Sequence, residues 1–105
     1  MDFDIFLSLS ARSVQKVLRN IDRETVELAL QNTDGIMKRK FFGVMSSRAA
    51  QLMQDQMSKL EAVDEKAIES ARKKMLQELR ALIENGEITE MDTTIMKTIS
   101  TVMAI

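Results

Sequence analysis

The stretch that decides the fold is "DEKAIESARKKMLQELRALIENG", residues 64–86. Asp64 is a good helix N-cap, and Gly86 suits the left-handed position that commonly ends a helix. Between them the apolar residues are spaced by three, four and one, which is the period of one face of an α-helix. The pattern predicts a long amphipathic helix with one buried face, formed by Ile68, Ala71, Met75, Leu76, Leu79, Leu82 and Ile83.

Upstream of this helix, caps and turns recur at short intervals. A first short helix is predicted from about Phe3 to Leu9, and Ser10 and Asp22 are predicted to cap the next two helices. The sequence "NTDG", residues 32–35, predicts a turn, because Asn, Asp and Gly cap or tolerate the backbone conformations that turns require.

Two more helices are predicted between this turn and the long helix. "IMKRKFFGVM", residues 36–45, predicts a short helix that ends near Gly43. Ser46 or Ser47 then caps "RAAQLMQDQMSKL", residues 48–60, and a break at 61–63 follows.

Composition supports an all-α domain. The 105 residues contain no Pro and three Gly, and they are rich in Ala, Leu, Met, Lys, Glu, Gln and Arg, which favour helix. No linker or low-complexity tract divides the chain, so we expect one domain over residues 1–105. Short helices joined by short turns form either a compact bundle or a helical-repeat superhelix.

The residue types present exclude most site chemistry. The chain has no His, Cys, Trp or Tyr, so it lacks the usual neutral-pH general base, the ligands for zinc, copper or iron, and Trp or Tyr stacking platforms. Its glycines are too far apart for a phosphate-binding loop. We therefore expect a non-catalytic protein with no cofactor and no metal site.

Charge and hydropathy predict the compartment. The formal net charge is −1, which predicts no general attraction to nucleic acid. The acidic N-terminal sequence is unlike a signal peptide, and no segment reaches the roughly 20 apolar residues needed to span a bilayer. We expect a cytoplasmic chain with no direct membrane insertion.

The helix predicted at residues 48–60 has two different sides. Arg48 and Asp55, seven residues apart, share one stripe with Gln51, Ser58 and Lys59. The other side is apolar, with Ala49, Ala50, Met53, Met57 and Leu60. The charged stripe is either an ordinary solvated face or a recognition ridge for a partner.

Several motifs resemble the C-terminal domain of the flagellar motor switch protein FliG. The first block runs from Phe3 through Arg12, Val14, Gln15, Leu18 and Arg19 to Asp22, and "LAL" follows at residues 28–30. "KFFGVMSSRAA", residues 40–50, resembles the family's K-F-x-x-N-M-S-x-R-A-A block, and "LRALIENGEI", residues 79–88, resembles the end of its last helix. The resemblance spans roughly residues 3–88 without a gap.

This resemblance implies a fold and a function. The fold is an armadillo-like right-handed helical superhelix with a C-terminal helical subdomain. The implied function is to contact the cytoplasmic loop of the stator protein MotA and thereby transmit flagellar torque, within a rotor ring of FliG and FliM-type subunits. The location implied is peripheral to the inner membrane, at the flagellar basal body.

The resemblance also assigns the ridge. Arg48 and Asp55 match family stator-contact residues of the same charge. Three further positions differ from the family in charge. Gln31 stands where the family commonly has Lys, Gln56 stands where it has a second acid, and Asp64 stands where it has Arg. We predict that these three residues support the site.

A basic trio extends the candidate site. Lys38, Arg39 and Lys40 are followed by Arg48, and no carboxylate occurs from Gly35 to Gln54. We predict that the trio adds positive potential to the ridge, the alternative being a solvated face. Because the ridge charges depart from the family pattern, the alternative function is an all-helical protein-binding adaptor that kept the fold and lost the torque role.

The C-terminal segment differs from the family, whose chain is short and polar there. Residues 89–105 predict an extra amphipathic helix with Thr89 as N-cap and an apolar stripe of Ile95, Met96, Ile99, Val102 and Met103. We expect this stripe to pack either on the chain's own bundle or on another subunit, because soluble monomers avoid exposed apolar patches.

Overall fold

A computed structural model describes residues 2–89 of the chain. In this part the regular elements are all helical, which confirms the predicted all-α class. A 3₁₀ helix comes first, and five α-helices follow it. Their bounds are Asp2–Ser8 for the 3₁₀ helix, Ala11–Arg19 for α1, Arg23–Ala29 for α2, Gly35–Phe42 for α3, Ser47–Lys59 for α4 and Glu65–Glu84 for α5.

The predicted extra helix at the C-terminus, with its apolar stripe, lies outside the described residues. None of the helices within residues 2–89 has the length and apolar content needed to cross a bilayer.

Short polar side chains begin most of the α-helices, as the sequence predicts. The Ser10 hydroxyl accepts the backbone N–H of Ser13 at 3.2 Å, and that of Ser46 accepts the N–H of Ala49 at 3.1 Å. Asp22 also occupies an N-cap position, but its carboxylate makes no bond to a backbone N–H. The carboxylate of Asp22 instead accepts a hydrogen bond from the hydroxyl of Thr25, a side chain in the first turn of α2.

The end of α5 follows the prediction made from Gly86. This residue has φ of 77°, a left-handed conformation that Gly adopts without the steric cost of a Cβ. The N–H of Glu87 donates to the carbonyl of Leu82 at 2.9 Å, and the N–H of Gly86 donates to that of Ile83 at 3.1 Å. This pair of bonds is the Schellman motif, and the turn returns the chain so that Ile88 is buried.

The long helix α5 is the centre of the core. It packs chiefly against α2, and its buried face matches the predicted one, except that Ile83 is half-buried.

A cluster of aromatic rings packs the 3₁₀ helix against α3. The ring centroids of Phe3, Phe6 and Phe41 form a triangle: Phe6 lies 4.9 Å from Phe3 and 5.4 Å from Phe41, and the nearly parallel rings of Phe3 and Phe41 lie 6.0 Å apart.

Arg72 of α5 ties three parts of the chain together. Its Nε donates to the carbonyl of Ala29 at 2.9 Å, and its Nη2 donates to that of Gln31 at 2.7 Å. Its guanidinium carbon also lies 5.4 Å from the centre of the Phe3 ring, within the range of a cation–π contact. The side chain therefore satisfies carbonyls at the C-terminal end of α2, where a helix has no internal donors.

Candidate functional site

The charged stripe of α4 is exposed on one face of the helix. Arg48, Gln51, Asp55 and Lys59 are all exposed, as the helical period predicts. We call this stripe the α4 ridge. A rise of 1.5 Å per residue separates the backbones of Arg48 and Asp55 by about 10 Å along the helix axis.

Hydrogen bonds within α4 orient the acidic end of the α4 ridge. The side-chain amide of Gln51 donates to the carboxylate of Asp55 at 3.0 Å. The hydroxyl of Ser58 donates to the backbone carbonyl of Asp55 at 2.7 Å. The carboxylate is therefore held on the surface by a neutral neighbour, and its charge stays available to a partner.

The opposite, apolar face of α4 is only partly buried. Met53 is 5 % exposed, while Ala49, Ala50 and Met57 are only half-buried. Leu60, which the sequence pattern places on the apolar side, is 40 % exposed. The physical reason is that α4 ends at Lys59 and the backbone of Leu60 is extended, so the helical period no longer sets the direction of its side chain.

One apolar residue of the α4 ridge was missed by sequence reasoning. Leu52 is 43 % exposed and lies between Arg48 and Asp55. Its spacing, four residues after Arg48 and three before Asp55, places it on the same stripe, and that spacing was the available signal. The α4 ridge thus offers an apolar contact between its two opposite charges.

A groove runs beside the α4 ridge, between α3 and α4. Its volume is about 590 Å³. Lys38 and Arg39 contribute the positive charge of its lining, and Gln31 comes from the turn after α2. Gln31, Gly35, Lys38, Arg39, Phe42, Gln54, Met57 and Ser58 line it, and we call it the α3–α4 groove. Because Ser58 also bonds to Asp55, the groove and the ridge adjoin on α4.

The basic trio is divided by the structure. Lys38 and Arg39 line the α3–α4 groove, whereas Lys40 shares a shallow depression with Leu7, Ile36 and Arg39 on another side of α3. The helical period accounts for this separation, because side chains two residues apart in a helix point to nearly opposite sides.

The remaining supporting residues have different surroundings. Gln56 is exposed on α4. Asp64 is exposed and caps α5, where its carboxylate accepts the backbone N–H of Lys66 at 3.2 Å. The N-cap role of Asp64 therefore explains its presence without any contact to a partner protein.

Gln31 has an unusual amide. Its backbone carbonyl accepts from Arg72, but its side-chain Nε2 is enclosed and has no hydrogen-bond partner among the described residues. An enclosed amide nitrogen carries two donors that lose water without gaining an acceptor. No group of three or more acidic side chains within residues 2–89 is arranged to hold a metal ion.

A family model of the FliG C-terminal domain matches residues 1–89 of this chain. The flagellar motor switch protein FliG of Thermotoga maritima is 40 % identical over 86 residues, which cover 82 % of this chain and 26 % of that protein. FliG of Borreliella burgdorferi is 36 % identical over the same length, covering 82 % of this chain and 25 % of that protein. The chain spans about a quarter of the length of these relatives.

Solved structures agree with the sequence relatives. The crystal structure of residues 116–343 of FliG from H. pylori superposes with a TM-score of 0.78 and 31 % identity, over 84 % of this chain and 38 % of that one. The shared arrangement is the armadillo-like helical fold that the resemblance implies. The chain belongs to the FliG C-terminal domain family.

Proposed function

We propose that this domain is a non-catalytic part of a flagellar rotor that contacts the stator through the α4 ridge and so transmits torque. The observation that carries the proposal is the exposure of Arg48 and Asp55 on one face of α4 in a FliG C-terminal domain. The partner surface is the cytoplasmic loop of MotA, and the neighbouring rotor subunits are of the FliG and FliM type. The location is cytoplasmic, at the basal body.

The physics of the α4 ridge suits a contact that forms and breaks repeatedly. Exposed ion pairs contribute only about 0–1 kcal/mol each, because water and salt screen them. Such charges mainly steer the encounter and fix the register of the two surfaces. Leu52 is exposed between the two charges. It adds an apolar contact with the stator surface once Arg48 and Asp55 are aligned with their partners.

Charge reversal on the α4 ridge tests this proposal. We expect Arg48→Glu and Asp55→Lys each to weaken binding of a purified MotA cytoplasmic loop by roughly fivefold or more, since like charges would then face each other. Each variant should keep its melting temperature within a few degrees, because exposed charges contribute under about 1 kcal/mol to folding. Binding is measured by titration calorimetry and swimming by complementation in a strain that relies on this copy.

A matched control comes from α5. Lys73→Glu makes a comparable change of charge at an exposed position that lines neither the ridge nor the groove. It should leave both binding and swimming unchanged. If the ridge variants bind the loop as tightly as the unaltered chain and swim normally, the torque role is wrong.

The second candidate is a protein-binding adaptor with the same fold. It is favoured by the departures at Gln31, Gln56 and Asp64, which remove or reverse charges that the family commonly has there. An adaptor would fail to bind the loop in every variant, and deleting its gene would leave swimming intact.

A further inference from the structure

We propose that residues 90–105 dock in a groove between α1 and the start of α4 and cover its apolar lining. These residues lie outside the described part of the chain, so the inference concerns the surface to which they bind. It is independent of the torque proposal, because the groove shares no lining residue with the α4 ridge or with the α3–α4 groove.

Three parts of the chain form this groove, whose volume is about 420 Å³. They are α1 with the residues just after it, the start of α2, and the connection from α3 to α4 together with Met53. Gln15 joins two of the walls, since its side-chain amide donates to the carbonyl of Val44 at 3.3 Å. We call the site the α1–α4 groove, and its apolar lining consists of Leu18, Ile21, Val26, Val44, Met45 and Met53.

Much of this apolar lining is incompletely covered by the described residues. Leu18, Ile21, Val44 and Met45 are half-buried, although they come from separate parts of the chain and meet at one place. Partly exposed apolar side chains that cluster in this way fit an apolar occupant. The side chains of Met45 and Met53 can adapt to the shape of that occupant, because Met has flexible torsions and no branch.

The described part of the chain ends beside one wall of the α1–α4 groove. Ile88 is buried in the core. The carbonyl of Glu87 accepts a hydrogen bond from Nζ of Lys16, in α1, at 2.5 Å. The following residues therefore leave the core next to α1, the helix that also supplies Leu18 to the groove.

The segment after Thr89 is long enough to reach the groove. Lys16 and Leu18 point to nearly opposite sides of α1, because they are two residues apart in a helix. The segment must therefore cross the exposed face of α1, a distance of about 10–12 Å. Residues 90–95 span about 9 Å as a helix and about 20 Å when extended, so Ile95 and the residues after it can lie in the groove.

The face of α1 that the segment crosses carries a basic stripe. Arg12, Lys16 and Arg19 are spaced by four and three residues, and α1 contains no acid. None of these three residues makes an ion pair within the described part of the chain. An acid on the crossing segment would therefore meet positive charge that is not already neutralised.

The sequence of the segment places an acid where this stripe needs one. By the helical period, Asp92 lies on the same side as Ile95 and Ile99, three and seven residues later, whereas Glu90 lies on the opposite side. A carboxylate is unfavourable against an apolar surface and favourable beside cations. A docked helix thus sets Asp92 against the basic stripe of α1 and the apolar residues after it in the α1–α4 groove.

The tether favours the chain's own segment over that of a second copy. A segment attached beside its binding site is present there at an effective concentration on the order of millimolar. A second copy in a micromolar solution competes poorly with it. The occupant is therefore the segment of the same chain.

A spin label on the segment tests where it binds. The chain has no Cys, so Thr101→Cys gives a single attachment site on the polar side of the predicted helix. In the 15N-labelled full chain, the nitroxide should broaden the backbone amide signals of Leu18, Ile21 and Met45. It should leave Lys66, at the other end of α5, unaffected. Broadening at another surface, or none beyond residue 89, would overturn the proposal.

A mixed sample separates docking within one chain from docking between copies. Unlabelled Thr101→Cys chains enriched in 15N are combined with spin-labelled chains at natural abundance. We expect no broadening of Leu18, Ile21 or Met45 in this mixture. Broadening as strong as in the labelled chain itself would mean that a second copy fills the groove, and the proposal would be wrong.

A charge reversal with a matched control tests the orientation of the segment. In the spin-labelled chain, Asp92→Lys should remove most of the broadening at the groove, because a cation would then face the basic stripe of α1. Glu90→Lys makes the same change of charge on the opposite side of the predicted helix and should keep the broadening. Equal losses from the two variants would mean that only net charge attracts the segment, which contradicts the proposal.

A double-mutant cycle tests the apolar contact by a separate measurement. Leu18→Ala and Ile99→Ala should each lower the melting temperature of the full chain, and the double variant should lose less than the sum of the two. Ile36→Ala is the control for Leu18→Ala, since Ile36 is 64 % exposed and lies outside the groove. Its effect should add to that of Ile99→Ala. Additive losses for the Leu18 and Ile99 pair would show that the two side chains do not meet.

Discussion

Arg72 shows how one side chain can join distant parts of a small domain. Its guanidinium reaches from α5 to the carbonyls of Ala29 and Gln31 and covers the ring of Phe3. Partial burial lowers the pKa of Arg72, since desolvation disfavours the charged form, while the acids Glu65, Asp4 and Glu69 oppose this effect. The group nonetheless stays charged at physiological pH, because guanidinium pKa values are far above neutrality.

We predict that Arg72→Lys costs about 2–3 kcal/mol of unfolding free energy, although the charge is kept. Lys cannot reproduce a planar fork that donates to two carbonyls at once, and hydrogen bonds from charged donors are worth about 1.5–3 kcal/mol each. In a domain of this size the melting temperature should fall by about 10–20 °C. Thermal unfolding followed by circular dichroism measures it, with Lys73→Arg as the control. An Arg72→Lys variant as stable as the unaltered chain would show that charge alone suffices.

Glu27 is a buried acid of α2, 8 % exposed. Burial raises the pKa of Glu27, and Glu24 adds to this effect, while Arg23 counteracts it. The folded chain therefore holds the proton of Glu27 more tightly than the unfolded chain. By linkage, unfolding free energy declines as pH rises from the ordinary glutamate pKa, about 4.3, through the raised folded-state pKa.

We predict that Glu27→Gln raises the melting temperature at pH 7 and that the gain vanishes below about pH 4. The neutral amide avoids the desolvation cost that the carboxylate meets only once it ionises. Melting curves of both chains from pH 3.5 to 8 measure the difference. A gain of the same size at every pH would mean that the benefit comes from packing or hydrogen bonding and not from ionisation.

At the scale of elements, the ends of α4 and α5 are set by backbone conformation. Gly86 ends α5 with a positive φ that suits Gly. Ala62, in the connection between α4 and α5, has φ of 28°, a value that L-residues with a Cβ seldom adopt. The positive φ of Gly86 can be predicted from the sequence, because Gly favours it. The positive φ of Ala62 cannot, because alanine does not favour it.

We predict that Gly86→Ala lowers unfolding free energy by about 1 kcal/mol, because a Cβ is strained at positive φ. Gly35→Ala is the matched control, since Gly35 lies in α3 and neither glycine has another group close enough to crowd an added Cβ. That control should be neutral or stabilising by up to about 1 kcal/mol. Urea unfolding of both variants measures the two changes in unfolding free energy. Equal losses of stability would mean that the positive φ of Gly86 is not the cause of the loss.

Ala62→Gly provides the reverse test. Relief of the strained φ should outweigh the added freedom of the unfolded chain and raise unfolding free energy by up to about 1 kcal/mol. The neighbouring change Ala67→Gly, inside α5, should instead destabilise by about 1 kcal/mol. The two variants have the same composition. If their changes in unfolding free energy, measured in urea, have opposite signs, the difference must come from the position of the substitution. Destabilisation by both would show that Ala62 is not strained.

Helices, caps and the α5 core were predictable from sequence because each depends on local periodicity or on one polar residue at a helix start. The exposure of Arg48 and Asp55 followed from the same period. The α3–α4 groove was not predictable, because it depends on how two helices and the turn at Gln31 approach one another. The enclosed amide of Gln31 is a consequence of that packing.

In the molecule as a whole, the core and the candidate site are carried by different helices. α5 buries Ile68, Ala71, Met75, Leu76, Leu79 and Leu82, whereas α4 buries Met53 alone. Each fully buried apolar side chain contributes roughly 1.5–3 kcal/mol, so α4 is held much more weakly than α5. Substitutions on the α4 ridge can therefore change binding with little effect on the fold.

This asymmetry predicts different protection from amide hydrogen exchange. Amides in the middle of α5 should exchange only through global unfolding, while those of α4 should exchange through a local opening of lower free energy, because few buried contacts are lost when α4 detaches. Native-state exchange measured at increasing low concentrations of denaturant separates the two routes. For α4 the opening free energy should depend little on denaturant, since little surface is exposed.

Met53→Ala and Met75→Ala test the cause of this difference. Met53→Ala should speed exchange in α4 by removing its one fully buried anchor, and should alter α5 less. Met75→Ala, in the core, should cost about 2–5 kcal/mol and speed exchange in both helices together, because it lowers the global stability through which α5 opens. Equal protection of α4 and α5 in the unaltered chain would show that the two helices unfold as one unit. The α4 ridge would then be held as firmly as the core, and its contacts with a partner could not be adjusted by local opening.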